Sequence, residues 1–251
     1  MSGILTGKNV LFMGAGPNMG RVMARLLAQA GARLHLVAKD GSAAAAVAQE
    51  IGENGGLATY GTADIADGEA VHKAVQIAAQ QMGKIDILVN NAGTFHDPGV
   101  LLHETSMEHV RELLGVNVEG EVYTMQAVLP YMIKSGGGSI LNIAAASVPL
   151  EIGNVLYAGA RTALITASQR VARAYRSRQI RVNVLSPGMV YTANQTPTLG
   201  PVPHPEQGLY RPGAAEDIAW TALYLLSPDA AWVSGAVVDV DGAQSREELG
   251  R

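Results

Sequence analysis

Residues 9–20 of the chain read NVLFMGAGPNMG, an apolar run that leads directly into a glycine-rich turn. Gly14, Gly16 and Gly20 fall between a predicted β-strand and a predicted helix. The helix N-terminus offers free N–H groups and the positive end of the helix dipole, so the turn is suited to binding the pyrophosphate of a dinucleotide. The spacing is G-x-G-x-x-x-G rather than G-x-G-x-x-G, and its strength as evidence comes from its position after a first strand.

The rest of the chain continues the alternation of apolar runs and helix-like stretches. The predicted strands are Asn9–Gly14, Arg33–Ala38, Leu57–Thr62, Ile85–Asn90, Ser139–Ala145, Arg181–Ser186 and Ala236–Val240. The predicted helices are Met19–Ala30, Ser42–Asn54, Asp67–Met82, Thr105–Ser135, Val155–Arg178 and Ala214–Leu226. Continuously apolar strands that alternate with helices indicate a parallel sheet covered on both faces. We predict a single-domain, doubly wound α/β Rossmann fold with seven parallel strands, spanning residues 1–251.

Composition excludes several classes of protein. The 251 residues are 48% hydrophobic, contain no Cys and carry a formal charge of -4. No apolar run reaches the roughly 18 residues of a membrane span, so we expect no membrane insertion. Disulfide scaffolds and thiolate metal sites need cysteine, and the acidic balance gives no electrostatic case for nucleic acid. The histidines show no metal-ligand spacing, so we expect no metal site. We expect a cytoplasmic protein.

Several further motifs occur in a recognisable order. Asn90-Asn91-Ala92-Gly93 follows the fourth predicted strand, Tyr157 precedes Arg161 by four residues, and Pro187-Gly188 follows the sixth strand. With the glycine-rich turn, these motifs make nearly the whole chain resemble the classical short-chain dehydrogenase/reductase family. The family has Thr-Gly-x-x-x-Gly-x-Gly at the turn, where this chain has Met13 and Asn18. Asn tolerates positive φ better than most other non-Gly residues, so we expect the turn to survive.

The resemblance implies a nicotinamide dinucleotide cofactor and assigns its contacts. Asp64-Ile65 corresponds to the adenine contact, and Val190 and Thr192 to contacts with the nicotinamide carboxamide. Asn117 matches the helix Asn that holds an active-site water. The predicted cofactor-binding residues are Gly14, Gly16, Asn18, Met19, Gly20, Ala38, Lys39, Asp64, Ile65, Asn91, Ala92, Gly93, Tyr157, Arg161, Pro187, Gly188, Val190 and Thr192.

The end of the second strand bears on the choice between NAD and NADP. Ala38 occupies the position where a carboxylate would bind the ribose 2′-hydroxyl of NAD. Lys39 stands where NADP-dependent relatives carry Arg, and a cation there would pair with the 2′-phosphate. We therefore favour NADP(H). The alternative is that Lys39 is solvated and Asp40 turns inward to bind the ribose of NAD.

The catalytic positions depart from the family pattern. The family uses a Tyr as proton donor or acceptor, a Lys four residues later and a Ser on the preceding strand. One helical turn separates Tyr157 from Arg161, so both side chains share a face. Arg161 retains a cation, but its guanidinium is larger and planar. The serine position falls on Ala145, which has no hydroxyl, and losing one such donor typically costs about 10²–10³ in rate.

Three interpretations of this set remain open. Ser147, two residues downstream, could supply the hydroxyl, although it could lie about 6 Å out of place. Tyr157 could act without a Ser on an activated ketone, an imine or an enone. The protein could also bind NADP and catalyse poorly or not at all.

Some residues are candidates for substrate contacts. His96 follows the Asn-Asn-Ala-Gly turn, and Glu151 and Asn154 lie where the family's substrate loop runs. Residues 192–211 contain four prolines within nine positions, which indicates a long irregular substrate loop. The arginines from Arg170 to Arg181 are interpreted mainly as solvated cations at a helix C-terminus.

Together these observations predict an NADP(H)-dependent oxidoreductase that reduces a carbonyl, an imine or a conjugated double bond of a small molecule. Tyr157 would donate the proton, with Arg161, Asn117 and Ser147 completing the catalytic set. The alternatives are a non-catalytic NADP-binding protein and a non-redox enzyme on the same fold. The resemblance also implies a homotetramer, or a homodimer, assembled through helices Thr105–Ser135 and Val155–Arg178.

Overall fold

A computed structural model describes residues 3–95, 100–191, 208–209, 211, 213–245 and 247. Its strands are β1 (Asn9–Met13), β2 (Arg33–Ala38), β3 (Leu57–Thr62), β4 (Ile87–Asn90), β5 (Gly138–Ile143), β6 (Ile180–Pro187), β7 (Val190–Tyr191), β8 (Gly213–Ala214) and β9 (Val237–Val240). Its helices are α1 (Met19–Gln29), α2 (Gly41–Glu53), α3 (Gly68–Met82), α4 (Met107–Leu114), α5 (Gly120–Lys134), α6 (Ser147–Ile152), α7 (Val155–Tyr175) and α8 (Ala215–Leu226).

Seven parallel strands form one sheet in the order β3-β2-β1-β4-β5-β6-β9, and β7 pairs with β8 apart from it. The strand order reverses between β1 and β4, where chains in an open α/β sheet leave a crevice at the carboxyl ends of the strands. The prediction of a doubly wound, seven-stranded parallel sheet is confirmed.

The apolar run of β1 shows why the strands lack an apolar/polar alternation. Val10 and Phe12 belong to a buried cluster with residues of α1, α2 and α8. Leu11 and Met13 belong to a second cluster with residues of α3 and α5. Because neighbouring side chains in a strand point to opposite faces, a sheet with helices on both sides needs apolar residues at consecutive positions.

The predicted helix over Thr105–Ser135 is present as a continuous helical segment over residues 107–134, with a π-helical turn in its middle. Ser106 caps α4 by accepting a hydrogen bond from the His109 N–H, and residues 115–119 form a π-helical turn before α5 begins. A Cβ on Gly120 would lie 2.7 Å from the backbone oxygen of Ile65, so glycine brings this segment against the chain after β3. Such π-helical turns are frequent at functional sites.

Other local predictions differ in outcome. Asp67 caps α3 as expected, accepting hydrogen bonds from the backbone of Glu69 and Ala70. Short helix α6 was not foreseen. Arg181 does not belong with the exposed arginines at the end of α7, because its guanidinium donates to the backbone oxygens of Leu225, Ser227 and Val233. Most of the Pro-rich segment 192–211 lies outside the described residues.

Within the described parts of the chain, no helix is both long and apolar enough to cross a membrane. In the same residues, no group of three or more His, Asp and Glu side chains is arranged to bind a metal ion.

Candidate active site

A cleft of about 850 Å³ opens at the carboxyl ends of the parallel strands. Its walls come from the segments that follow β1, β2, β3 and β4, from the end of β5, from α7 and from residues 187–190. Every predicted cofactor residue that the structure describes lines it, from Gly14 to Val190. Thr192 lies outside the described residues. The topology thus brings together side chains that are more than 170 positions apart in the sequence.

The glycines of the first turn have different structural roles. Gly14 has a φ of 87°, and a Cβ there would lie 2.6 Å from the Ala92 Cα. A Cβ on Gly20 would lie 2.6 Å from the Gly14 backbone oxygen, so α1 packs closely on the turn. Gly16 has no atom within 4 Å of a Cβ position and faces the open cleft. Two glycines therefore bring backbone segments together, and the third leaves space for a ligand.

The expectation that Asn18 needs its tolerance of positive φ is wrong. Asn18 is the residue before α1, and its φ is -93°. The left-handed geometry of this turn falls on Gly14 instead. The Asn18 Oδ1 is buried with no hydrogen-bond partner among the described residues, as is the Asn91 Oδ1. Asn91 Nδ2 donates to the Gly14 backbone oxygen at 2.8 Å, which ties the ends of β1 and β4 together.

Charged side chains lie at the β2–β3 end of the cleft. The Lys39 ammonium, 78% exposed, lies 2.7 Å from Asp64 Oδ2. This contact raises the pKa of Lys39 and lowers the pKa of Asp64. Asp40 caps α2, because its Oδ1 accepts hydrogen bonds from the backbone N–H and the hydroxyl of Ser42. The carboxylate of Asp40 is therefore engaged at the helix N-terminus, while Lys39 is oriented along the cleft wall.

Tyr157 lies in the first turn of α7 and lines the cleft. Asn154 fixes the start of this helix, since its Oδ1 accepts a hydrogen bond from the Tyr157 N–H at 2.8 Å. The Phe95 ring meets the Tyr157 ring edge to face, with centroids 4.8 Å apart. The Tyr157 side chain is 7% exposed, so its position is set by packing. Its neighbours leave this phenol beside the open volume of the cleft.

Arg161, one turn further along α7, does not extend freely into the cleft. Its Nη1 donates to Glu121 Oε1 at 2.8 Å and to the Ile143 backbone oxygen at 3.1 Å. Its Cζ lies 5.6 Å from the centroid of the Tyr157 ring. Gly93 packs so closely on Nη2 that a Cβ there would overlap the guanidinium. Burial raises the pKa of Glu121 to about 8, although the nearby guanidinium opposes the shift.

The wall opposite the first turn includes Ala144 and Ala145, both buried and both lining the cleft. Neither side chain can donate a hydrogen bond. Ser147 is the first residue of α6, is exposed, and is not among the described residues that line the cleft. The hypothesis that Ser147 supplies the missing hydroxyl receives no support from this geometry, because the chain turns into α6 before its side chain can face Tyr157.

Asn117 lies in the π-helical turn and is fully buried. Its Oδ1 accepts a hydrogen bond from the Thr94 N–H at 3.1 Å, and its Nδ2 donates to the Thr94 backbone oxygen at 2.9 Å. The side chain therefore fixes the segment after β4, next to Gly93. Its expected role in positioning a water rests on the resemblance.

The candidates for substrate contacts are placed away from the cleft or are not described. Glu151 is exposed on α6 and, like Asn154, is not among the described lining residues. The Asn154 oxygen caps α7, and the role of this side chain as a substrate contact stays a prediction. His96 lies outside the described residues.

Sequence analysis missed two features near the site. Glu121 was not singled out, although an acidic residue among the apolar residues of α5 is a visible signal. The second feature is a buried chain of hydrogen bonds beneath the cleft, in which Asn90 and Asn142 join β4 to β5 and Thr124 and Ser168 connect them to α5 and α7. Nothing in the spacing of these polar residues could reveal that they meet.

Comparison with known proteins shows the same architecture. Residues 14–243 match a family model described as enoyl-(acyl carrier protein) reductase. The chain is 33% identical over 248 residues to a 7alpha-hydroxysteroid dehydrogenase of Escherichia coli K12, covering 97% of this chain and 96% of the relative. It is 32% identical to a 3-oxoacyl-(acyl-carrier-protein) reductase of Chlamydia trachomatis, covering 98% and 100% of the two chains.

Solved structures agree. A hydroxysteroid dehydrogenase from Escherichia coli matches with a TM-score of 0.85 and 33% identity, covering 96% of this chain and 97% of the other. A 7 alpha-hydroxysteroid dehydrogenase complexed with NADH and 7-oxo glycochenodeoxycholic acid matches with a TM-score of 0.83 and 31% identity, covering 97% of each chain. Since both the family model and these relatives span almost the whole chain, the protein is a member of the classical short-chain dehydrogenase/reductase family of oxidoreductases.

Proposed function

We propose that this oxidoreductase uses NADP(H) to reduce a carbonyl, an imine or a conjugated double bond of a small molecule, with Tyr157 as proton donor. The observation that carries the proposal is that the Tyr157 phenol and the Gly14–Gly20 turn line one continuous cleft. Binding of a dinucleotide along that cleft would bring its redox-active end towards Tyr157.

The walls of the cleft fit a dinucleotide. Gly16 leaves space where the pyrophosphate would approach the N-terminus of α1. The buried Asn91 Oδ1, with no partner among the described residues, is an acceptor suited to a ribose hydroxyl. Asp64 and Ile65 line the far end, where the adenine would lie, and Pro187, Gly188 and Val190 line the end near Tyr157.

When bound along this cleft, the nicotinamide cofactor would supply the hydride that reduces the electrophilic carbon of the substrate, and would itself be oxidised. Tyr157 gives its phenolic proton to the substrate oxygen or nitrogen, or to the neighbouring carbon of a conjugated double bond, and then regains a proton from solvent. Phe95 and Ala145 form apolar walls beside this phenol. Within the described residues, the side chains of Ala144 and Ala145 offer no hydrogen-bond donor beside this phenol, so we propose that the substrate is already activated, such as an enone, an imine or an activated ketone.

NADP is favoured over NAD by the charges at the end of β2. Lys39 is the cation nearest the place of a 2′-phosphate, and Asp40 is engaged in capping α2. A 2′-phosphate would compete with Asp64 for the Lys39 ammonium. Lys39→Ala should weaken NADPH binding about tenfold or more and leave NADH binding unchanged. Lys73→Ala, an exposed cation on α3, is the matched control. Equal effects on both nucleotides would favour NAD.

The test of the activity is NADPH oxidation with a panel of ketones, enones and imines. The panel includes a 7-oxo bile acid and a 3-oxoacyl thioester, which the names of the relatives suggest. Tyr157→Phe should abolish turnover while the protein still binds NADPH. Binding of NADPH with no oxidation by any substrate would overturn the reductase proposal.

A second candidate function is favoured by Ala144 and Ala145, which offer no donor to a carbonyl oxygen. In this alternative, the protein binds NADP and has little redox activity. Ala145→Ser separates the two. A gain on simple ketones, up to about 100-fold, would indicate a weakened reductase site. A loss of native activity would indicate a site adapted to an activated substrate.

Assembly and location also belong to the proposal. Exposed apolar side chains on α4, α5 and α7, including Met107, Val122 and Val155, support packing between copies of the chain. We propose a cytoplasmic homotetramer built on these helices. Light scattering of the purified protein tests the assembly, and a monomeric mass would contradict it.

A further inference from the structure

A buried ion pair joins α5 to α7 beneath the cleft. The side chains of Glu121 and Arg161 are 0% and 6% exposed, and Glu121 Oε1 lies 2.8 Å from Arg161 Nη1. Taking two charges out of water costs several kcal/mol per ion, and apolar residues of similar volume are often as stable or more stable. Most of the buried residues around Glu121 on α5, such as Met125 and Val128, are apolar. A role in stability alone therefore explains this carboxylate poorly.

The contact between Glu121 and Arg161 lacks the bidentate geometry of the strongest arginine–carboxylate pairs. A bidentate contact would use two guanidinium nitrogens and both carboxylate oxygens. Here Arg161 Nε and Glu121 Oε2 are both buried with no hydrogen-bond partner among the described residues. Nη1 is shared between Glu121 and the Ile143 backbone oxygen at the end of β5. The effect of this geometry is to direct the guanidinium against the Tyr157 ring and the Gly93 backbone.

We propose that Glu121 is a positioning residue that acts through Arg161: it fixes the guanidinium against the Tyr157 ring and, once ionised at alkaline pH, cancels its charge, so that Tyr157 keeps its proton to higher pH than an uncompensated cation would allow. This inference rests on the proposed reductase function and adds the alkaline limit of the proton donor. An uncompensated cation beside a phenol favours the phenolate, the form that accepts a proton during oxidation. A compensated cation favours the neutral donor that reduction needs.

The pH dependence of this arrangement depends on a small set of groups. Arg161, from α7, is the charged group that acts on the Glu121 carboxyl, and Asn90, Asn142 and Thr124, which join β4, β5 and α5 beneath the cleft, carry no charge. A phenol ionises near pH 10, whereas burial raises the pKa of Glu121 to about 8. At the pH where a phenol ordinarily ionises, Glu121 is therefore already a carboxylate.

The experiment follows the ionisation of Tyr157 through tyrosinate ultraviolet absorbance, as the difference between each protein and its Tyr157→Phe version. In Glu121→Gln the amide oxygen can still accept from Arg161, but the compensating charge is lost. We expect the Tyr157 transition to move to lower pH by about one unit, the order of magnitude expected for the loss of a nearby unit charge at an effective dielectric constant of about 20. An unshifted transition would overturn the proposal.

Glu119→Gln is the matched control. Glu119 lies two residues away, is exposed, and contacts the Tyr123 hydroxyl rather than Arg161. Its substitution should leave the Tyr157 transition in place. A shift equal to that of Glu121→Gln would mean that general surface charge, and not the buried pair, controls the phenol.

The double variant Glu121→Gln/Arg161→Met keeps the proposal testable if Glu121→Gln alone does not fold. The Glu121 carboxylate and the Arg161 guanidinium together carry no net charge, and neither do Gln and Met, so the Tyr157 transition should remain near its original pH. A double variant that shifts as far as Glu121→Gln would show that Glu121 does not act through Arg161, and would contradict the proposal.

Turnover distinguishes this inference from the proposed function. If the native protein oxidises NADPH, the alkaline limit of the pH–rate profile for reduction should move to lower pH in Glu121→Gln by the same amount as the Tyr157 transition. If the native protein oxidises no NADPH with any substrate, the reductase proposal fails, and the tyrosinate titration still decides whether Glu121 controls the charge at Tyr157.

Discussion

Separate replacements of Gly14 and Gly16 by alanine distinguish the folding role of the first turn from its ligand role. Both glycines belong to the same motif and are two positions apart. A Cβ on Gly14 would lie 2.6 Å from the Ala92 Cα and 2.8 Å from the Asn91 carbonyl carbon, both backbone atoms that cannot move independently. A Cβ on Gly16 would have no atom within 4 Å.

The expected magnitudes follow from these contacts. Alanine at a φ of 87° carries a left-handed strain of about 1–2 kcal/mol, and overpacking adds about 1–3 kcal/mol. Gly14→Ala should therefore lower the free energy of unfolding by about 2–5 kcal/mol. At about 2–4 °C per kcal/mol for a chain of this size, Tm should fall by roughly 5–20 °C. Gly16→Ala should change the free energy of unfolding by less than about 0.5 kcal/mol.

Cofactor affinity should instead fall in Gly16→Ala, the variant whose stability is expected to be nearly unchanged. The new methyl group in Gly16→Ala would project into the space proposed for the pyrophosphate. A contact of this kind costs about 1–3 kcal/mol, or about 5- to 150-fold in Kd. The assay is NADPH titration by fluorescence, paired with thermal and guanidinium unfolding of each variant.

Two results would refute the reasoning. Native NADPH affinity in Gly16→Ala would mean that the pyrophosphate does not approach this residue. Native stability in Gly14→Ala would mean that the backbone contact with Ala92 relaxes freely, and that the glycine is not required for packing.

The remaining predictions concern buried polar groups. Asn142→Leu should lower the free energy of unfolding by about 1–3 kcal/mol in guanidinium, because the Asn90 amide loses its acceptor; a neutral result would contradict the hydrogen-bond chain. Asn154→Ala should cost about 1 kcal/mol through loss of the α7 cap, and Asn154→Ser should restore it; a raised KM with unchanged stability would instead indicate a substrate contact. Burial raises the pKa of Glu121 from 4.5 to about 8, so between these pH values the native state binds more protons than the unfolded state. The free energy of unfolding should therefore fall as pH rises from about 4.5 to 8 and level off above that. Glu121→Gln should remove that slope in unfolding measured across this range.

The elements that sequence reasoning predicted best are those governed by local chemistry. Strands β2 and β3 have the bounds expected from their apolar runs, and the Asp67 cap occurs where its side chain can reach the N–H groups two and three residues later. The π-helical turn within the predicted helix Thr105–Ser135 has no signal in the local sequence, and it lies beside a close contact of Gly120 with Ile65, 55 residues earlier in the chain.

Side-chain roles were predicted less well than positions. Asn154 was expected to contact substrate because it precedes Tyr157, but the N–H groups at the start of α7 are close enough to take its oxygen first. Asp40 was considered as a ribose ligand, and it is likewise engaged by the N-terminus of α2. In both cases, a helix that begins at the site competes with the ligand for the same polar side chain.

By itself, the sequence determined the order of strands and helices, the glycine-rich turn and the presence of Tyr157, because apolar periodicity and turn chemistry act between near neighbours. Only the tertiary structure decided where Arg161 points. Its guanidinium is directed by Glu121, 40 residues earlier, and by Gly93 on another strand's end. A buried charge takes the position where a compensating charge is available, and that position exists only after α5, α7 and the sheet have packed together.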